Sequence, residues 1–530
     1  MNKENISKVY LLSTPLDTTY KNTLYFTSKE SQQSYFQSVI KKSYTGFTYL
    51  RKDNLIYVPD HIDNIYDANY VMYQNTYYDN KWFYAFIKDM TYESDECTII
   101  EIETDVIQTW LFDYTVLPSF IEREHIANDV VGDYTYPEGL ETGEYICNNK
   151  IEDEKGKDLL IYLAYSDYAN DLGDVKGNKY GGIYSGMGYD AFGNTPEGIT
   201  SLNSILKDYD NAKADAINSL FMGPRWLSGI SPDNTFVGAS VGPSNSPKVY
   251  NTNPITKPTK VNGYKPRNSK LLCYPYNYLC VSNYAGSSAI YKYEDFSDET
   301  CNFEVSGVLT PGCSIRMNPL WYKGAVINND EGINGGKYPI CCWNTDTYTN
   351  WLTQNGVNIG MSLLSGAGQL GVGMGMIAST GGLGLAIGGG TIASGLSTIT
   401  STLSQKHQQS MVPDQVRGNT NCGDVITGSG ENCFMFYQMS IKKEYAQIID
   451  SYLDMFGYKI NRIDVPKTNH MKRYWYTKTD GANISGNIPK NDIEKIKNCY
   501  DNGITFWKNA STICIYPTSN PDGTINNSNR

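Results

Sequence analysis

Residues 81–104 read KWFYAFIKDMTYESDECTIIEIET, and they decide the class of fold. Trp82, Tyr84 and Phe86 alternate with Phe83, Ala85 and Ile87. Successive side chains of a strand point to opposite faces, so this run predicts a strand covered on both sides. The polar run 93–96 predicts a turn, and from Thr98 to Glu103 inward Ile alternates with outward Glu. Together these make a β-hairpin. Asp105 is placed to cap a short helical turn holding Val106, Ile107, Trp110 and Leu111, with Pro118 as its stop.

The same texture continues outward. LLIYLAY (159–165) and LLCYPYNYLC (271–280) are short apolar runs between Gly, Asn, Pro and Ser clusters. Residues 199–220 predict a helix with Leu202, Ile205 and Leu206 on one face, and 238–267 reads as loop. CFMFYQMSIK (433–442) predicts a strand. Residues 443–456 predict a helix, because Tyr445, Ile448, Ile449, Tyr452, Leu453 and Phe456 recur at helical spacing and Gly457 supplies a left-handed end. Strands at YKINRID (458–464), RYWYTKT (473–479) and ITFW (504–507) flank a second helix over 489–500. The fold class is mainly β with minor α.

Composition agrees. Tyrosine occurs 44 times in 530 residues, and charged residues make up only 19%. Tyr suits pleated, half-buried surfaces and interfaces alike. The net charge of −12, with no Lys/Arg-rich run, argues against tight nucleic-acid binding, which needs cations to displace phosphate counterions. It leaves room for nucleic acid passing along a neutral or acidic wall. Twelve cysteines are scattered without C-x-x-C spacing, and the N-terminus shows no apolar leader, so free thiols in a cytosolically made protein are expected. Cys341 and Cys342 are the pair that most invites a check.

The most informative segment lies at 347–405, fifty-nine residues without Asp, Glu, Lys, Arg or His. Gly371 and Gly375, and again Gly384 and Gly388, are spaced as G-x-x-x-G, which lets apolar helices approach closely in lipid. Gly381-Gly382 divides 357–405 into halves of about 24 residues, each long enough to cross ~30 Å of hydrocarbon. Met361, Leu363, Leu364, Leu370, Met374, Met376, Ile377, Leu383, Leu385 and Ile387 are the candidate membrane-inserting residues. A buried hairpin and a flexible linker are the competing explanations. So much Gly weakens a helix in water by roughly 1 kcal/mol per residue against Ala, which suits a segment stored in one state and used in another.

Catalytic chemistry finds little support. Gly366–Gly371 matches G-x-G-x-x-G, but no acidic residue follows at the distance a dinucleotide site needs. The four histidines, His61, His125, His407 and His470, have no metal-ligand spacing. Glu122 and Glu124 are a conceivable carboxylate pair for glycan hydrolysis. No catalytic residue, cofactor or metal is expected.

Longer strings carry a family likeness. DTTYKNTLYFTS (17–28), YDANYVMYQNTYYDNKWFYAFI (66–87), IETDVIQTWLFDY (102–114), LPSFIEREHI (117–126), LLCYPYNYLCVSN (271–283), FGYKINRID (456–464), ISGNIPKNDIEKI (484–496) and DNGITFW (501–507) resemble, in order, the tail knob or distal tube proteins of small short-tailed phages of Gram-positive bacteria. The likeness is thin over 131–346. It implies a virion tail-tip protein, a homohexameric tube whose β-barrel parts come from residues 1–130 and 418–515. It implies a looped distal region at 131–346, a long Gly-rich membrane-active loop at 347–417 and a tail at 516–530. The implied partners are other copies of the chain, the upper tail tube or lower collar protein, the tail appendages and the host cytoplasmic membrane. DNA would pass through the lumen without sequence-specific binding. The loops would plug the tube and later form a pore. A receptor-binding adhesin and a tail-associated wall hydrolase are the alternatives.

Overall fold

The structure is a computed structural model that describes residues 8–45, 49–50, 54–74, 81–165, 167–170, 173–176, 178–180, 183–185, 188–208, 217–233, 235–241, 247–336, 338–342, 419–421 and 433–517. The chain is mostly β, and it divides into two compact units. The first takes Met1–Gly143, Gly263–Leu271 and Lys443–Arg530; the second takes Glu144–Asn262 and Leu272–Lys442.

The hairpin sits centrally in the first unit. Trp82–Ser94 and Cys97–Thr104 pair antiparallel, closing at Ser94 and Cys97. They belong to a seven-stranded sheet in the order Ile40–Thr45, Lys8–Leu12, Tyr70–Gln74, Trp82–Ser94, Cys97–Thr104, Leu55–Val58, Tyr49–Leu50. Both faces are covered, as the unbroken apolar run requires. On one face Phe83 and Ala85 pack with Val9, Val71, Ile100 and Ile102. On the other Tyr84 and Phe86 pack with Tyr70, Met72 and Trp507, and with Phe36 of the helix Lys29–Ser38. The Phe36 and Tyr70 rings stack at 5.4 Å. Each such ring contributes roughly 1.5–3 kcal/mol by leaving water. Asp105 caps Val106–Trp110, its Oδ1 accepting from the Ile107 and Gln108 amides at 3.0 Å. That helix stops at Trp110, well before Pro118, because the strand Tyr114–Val116 intervenes and pairs with Ile484–Gly486.

A five-stranded sheet completes the unit in the order Asn22–Leu24, Ile504–Trp507, Tyr474–Asp480, Ser119–Glu124, Tyr458–Asp464. Its first pair is parallel, Asn22 opposite Thr505, and joins chain segments far apart in sequence. The helix Lys443–Phe456 ends as anticipated at Gly457, whose φ is +64°. Its buried face differs from the one read from the apolar spacing. Ala446, Ile449, Asp450, Leu453 and Asp454 face inward, while Ile448 is 66% exposed. Two aspartates are buried because Gly263–Leu271 lies against the helix and supplies them with donors. Tyr264 Oη, the Arg267 amide and the Asn268 amide donate to Asp450 at 2.6, 2.9 and 3.0 Å. Arg267 Nε donates to Asp454.

The second unit is built on three larger sheets. One runs Gly238–Val241, Gly188–Gly193, Leu159–Tyr165, Ile217–Pro224, Ile340–Cys342, Asn419–Asn421; another Tyr145–Glu152, Met435–Ile441, Asn277–Ser282, Ser288–Tyr291; the third Lys248–Asn251, Thr300–Val308, Ser314–Tyr322, Ala325–Ile327. A single apolar cluster draws on all three, including Tyr162, Phe221, Leu279, Val281, Phe303, Val305, Met317 and Phe436. The helix predicted over 199–220 is Pro196–Asp208; Leu220 lies instead in the strand Ile217–Pro224. Leu202 and Ile205 are buried against Leu163, Tyr165 and Phe192. The stretch 238–267 is not all loop: Gly238–Val241, Lys248–Asn251 and Ile255–Thr256 are strands, short and rich in turn formers. Among the described residues, Cys97, Cys147, Cys273, Cys280, Cys301, Cys313, Cys433, Cys499 and Cys514 are thiols and form no disulfide.

Candidate functional site

The uncharged segment enters and leaves the fold through neighbouring strands. Ile340–Cys342 and Asn419–Asn421 pair antiparallel, Ile340 opposite Asn421 and Cys342 opposite Asn419. Among the described residues Asn419–Asn421 is the outermost strand of its sheet, and Ile340–Cys342 is held from within by Ile217–Pro224, with Phe221 opposite Ile340. The intervening residues 343–418 are one insertion between two paired strands. All ten membrane-inserting candidates and the four glycines Gly371, Gly375, Gly384 and Gly388 lie outside the described residues.

The root is firmly packed. Tyr338, Ile340 and Phe221 are buried. Phe221 stacks on Tyr162 at 5.2 Å, and Tyr189 meets it edge-on at 5.9 Å. The Met222 amide donates to the Pro339 carbonyl at 3.0 Å. Burial holds the Tyr338 and Tyr162 hydroxyls well above the usual phenol range, so both are neutral, and Tyr162 Oη donates to the Pro224 carbonyl at 3.0 Å. A neutral, close-packed root resists deformation, because interior packing leaves few voids to collapse into.

The proposed carboxylate pair is separated by a bulge in the strand Ser119–Glu124 between Ile121 and Arg123. Glu122 pairs with Lys478 at 2.6 Å. Glu124 is buried, accepting from Trp475 Nε1 at 3.0 Å and the Lys467 amide at 2.6 Å. The two do not face a common space, so glycan hydrolysis by this pair is not built. His61 caps a short helical turn by accepting from the Asp63 amide at 3.3 Å. His125 bridges backbone groups, Nδ1 accepting from the Tyr476 amide at 2.6 Å and Nε2 lying 2.9 Å from the Asp454 carbonyl. His407 is outside the described residues. Among the described residues no group of His, Cys, Asp and Glu is arranged to hold a metal, and no helix is long and apolar enough to cross a membrane.

Hydrophobic spacing did not reveal the buried ionic cluster of Arg267, Asp450 and Asp454. The only signal was that Asp450 and Asp454 are four apart, on one helical face.

Comparison with known proteins agrees with this architecture. Residues 244–521 match the family described as Bacillus phage phi29, tail knob protein gp9, C-terminal domain, and residues 5–115 match the caudoviral major tail protein N-terminus. The chain is similar to tail knob protein gp9 of Bacillus phage phi29, at 26% identity over 94% of this chain and 95% of that one. It is 27% identical to the gp9 of Bacillus phage PZA over the same shares, and 26% identical to that of Bacillus phage B103 over 96% and 97%. The solved structure of the bacteriophage C1 tail knob protein, gp12, superposes with a TM-score of 0.56 at 15% identity, covering 98% of this chain and 99% of that one, which establishes a shared fold.

Proposed function

The chain belongs to the family of the phi29 tail knob protein gp9, a structural component of the phage tail and not an enzyme, and from that premise we propose that it forms a hexameric DNA-ejection channel with a releasable membrane plug. The observation that carries this reading is the root of the insertion. A segment with no Asp, Glu, Lys, Arg or His over 347–405 joins two paired strands of one sheet. Such a segment is costly to expose to water and inexpensive to place in lipid, since it has no charge to desolvate. Inside a tube of six copies it would fill the lumen. On contact with a cell it would move into the cytoplasmic membrane, Met, Leu and Ile toward lipid and the G-x-x-x-G faces toward each other.

An acidic chain suits the wall of such a channel. A net charge of −12 with no Lys/Arg-rich run argues against retaining DNA by phosphate contacts. The domain plan follows: residues 1–130 and 418–515 would build the tube, 131–346 the distal end, 347–417 the plug, and 516–530 a tail.

The test is dye release from liposomes by intact protein and by protein lacking 357–405. Release by the intact protein alone supports the pore; equal leakage from both removes it. Electron micrographs of concentrated protein test the ring separately: six-fold rings are expected, and monomers or closed dimers refute it.

A further inference from the structure

The ladder between Ser119–Glu124 and Tyr474–Asp480 runs on to His125, whose amide donates to the Tyr476 carbonyl at 3.1 Å. Past that bond the two chains part. One continues through Ile126 to Asp129, and the other arrives through His470, Lys472 and Arg473. Between them lies a pocket of about 220 Å³, with Trp475 also in its wall.

The charges around this pocket are unbalanced toward positive, in a chain that carries −12 overall. Its one carboxylate is already engaged: Asp129 accepts from Tyr458 Oη at 2.9 Å and from the Ser269 amide at 2.8 Å. Both ring nitrogens of His125 are used on backbone groups. Glu124, behind Trp475, is taken by the indole and by the Lys467 amide. The cations are not so matched. Lys472 is exposed and has no carboxylate partner among the described residues. Arg473 spends Nη2 on the Ile515 carbonyl at 2.8 Å, but its Nε–H is buried with no acceptor. A positive charge at a pocket wall with no carboxylate beside it favours an anionic ligand. His470 adds a third group able to donate.

We propose that this pocket binds a single phosphate or phosphate-ester group, held by Lys472 and Arg473 with His470 at the rim. Arginine and lysine together suit a tetrahedral oxyanion, which offers several acceptors to donors from different directions. The size limits the ligand. At about 220 Å³ the pocket is smaller than the ~300–1,000 Å³ of typical small-molecule sites, so it admits one phosphate with a short polyol arm and no nucleic-acid duplex.

The full chain should be titrated with inorganic phosphate, with glycerol 3-phosphate and with a short DNA duplex, read by calorimetry and by phosphorus NMR line width. Saturable binding of phosphate and glycerol 3-phosphate with a dissociation constant on the order of 1 mM is expected. Lys472→Gln, at an exposed position, and Arg473→Lys should each weaken it about tenfold while leaving the circular dichroism melt in place. If glycerol 3-phosphate binds at least as well as phosphate and the duplex does not compete, the ligand is a small phosphate ester. Competition by the duplex, lost in the same variants, would instead make the source a nucleic-acid backbone and overturn the size argument. Absence of saturable binding, or binding unchanged in both variants, overturns the site.

Discussion

The indole Nε1–H of Trp475 donates to the buried carboxyl of Glu124 at 3.0 Å, on neighbouring strands of the same sheet. Burial is the larger effect on this carboxyl and pushes its pKa up to about 7, against the opposing pull of the Trp475 and Lys467 N–H groups. The folded state therefore holds a proton that the unfolded chain releases near pH 4.5. Stability from this group is fully present below pH 4.5 and is lost as pH rises through 7. Between pH 6 and 8 the loss is on the order of 1 kcal/mol. Glu124→Gln keeps an acceptor oxygen for both donors and cannot ionise. Its urea midpoint should change little over that range while the parent's falls; parallel curves would show that Glu124 does not titrate there. Asp105, raised to about 6 by burial, adds a smaller effect of the same sign that both proteins share.

Legibility in the sequence followed the range of the interactions. The hairpin of 82–104, the Asp105 cap and the helix ending at Gly457 rest on residues a few positions apart, and each formed where its residues indicated. The buried face of Lys443–Phe456 did not, because apolar spacing cannot anticipate that Tyr264, Arg267 and Asn268 would supply donors to Asp450 from far along the chain. The parallel pairing of Asn22–Leu24 with Ile504–Trp507 is equally non-local. For the candidate site, composition marked the insertion, but only topology showed that Cys342 and Asn419 are opposite each other at its root.

Asp450 tests the non-local cluster. Arg267 and Asp450 side chains are almost wholly removed from solvent, and Asp450→Ala leaves the Asn268 and Arg267 amides and Tyr264 Oη without their acceptor. A loss of about 3–5 kcal/mol is expected in urea denaturation. Ile448→Ser, two residues away and 66% exposed, should fall within about 0.5 kcal/mol of the parent in the monomer. Comparable losses in the two variants would mean that the helix is not docked through its aspartate face.

Two glycines separate backbone strain from backbone collision. Gly457 and Gly481 both have positive φ, +64° and +72°. A Cβ on Gly457 would lie 2.3 Å from the Glu124 carbonyl group and 2.5 Å from the His125 amide nitrogen, whereas one on Gly481 meets nothing within 4 Å. Gly481→Ala should cost about 1 kcal/mol, the left-handed penalty alone. Gly457→Ala should cost at least twice that, because two backbones must separate and rigid neighbours yield poorly. Equal melting temperatures would show that the close approach at Gly457 is not present in solution.

The root of the insertion predicts that the fold survives its removal. Adjacent strands lie about 4.8 Å apart, a gap that a two- to four-residue turn bridges. Cys342 and Asn419 are opposite each other, so 343–418 can be replaced by a short Asn-Gly turn without moving either strand. Phe221, Ile340 and Tyr338 belong to an apolar cluster that also takes Tyr162, Phe303, Val305 and Phe436 from strands outside the insertion. The shortened protein should therefore melt cooperatively within a few degrees of the parent, since a 1 kcal/mol change shifts a domain of 150–250 residues by about 2–4 °C. It should also fail to release dye from liposomes. A broad, early transition would mean that residues 343–418 supply part of the core, and would count against a plug that can leave the fold intact behind it.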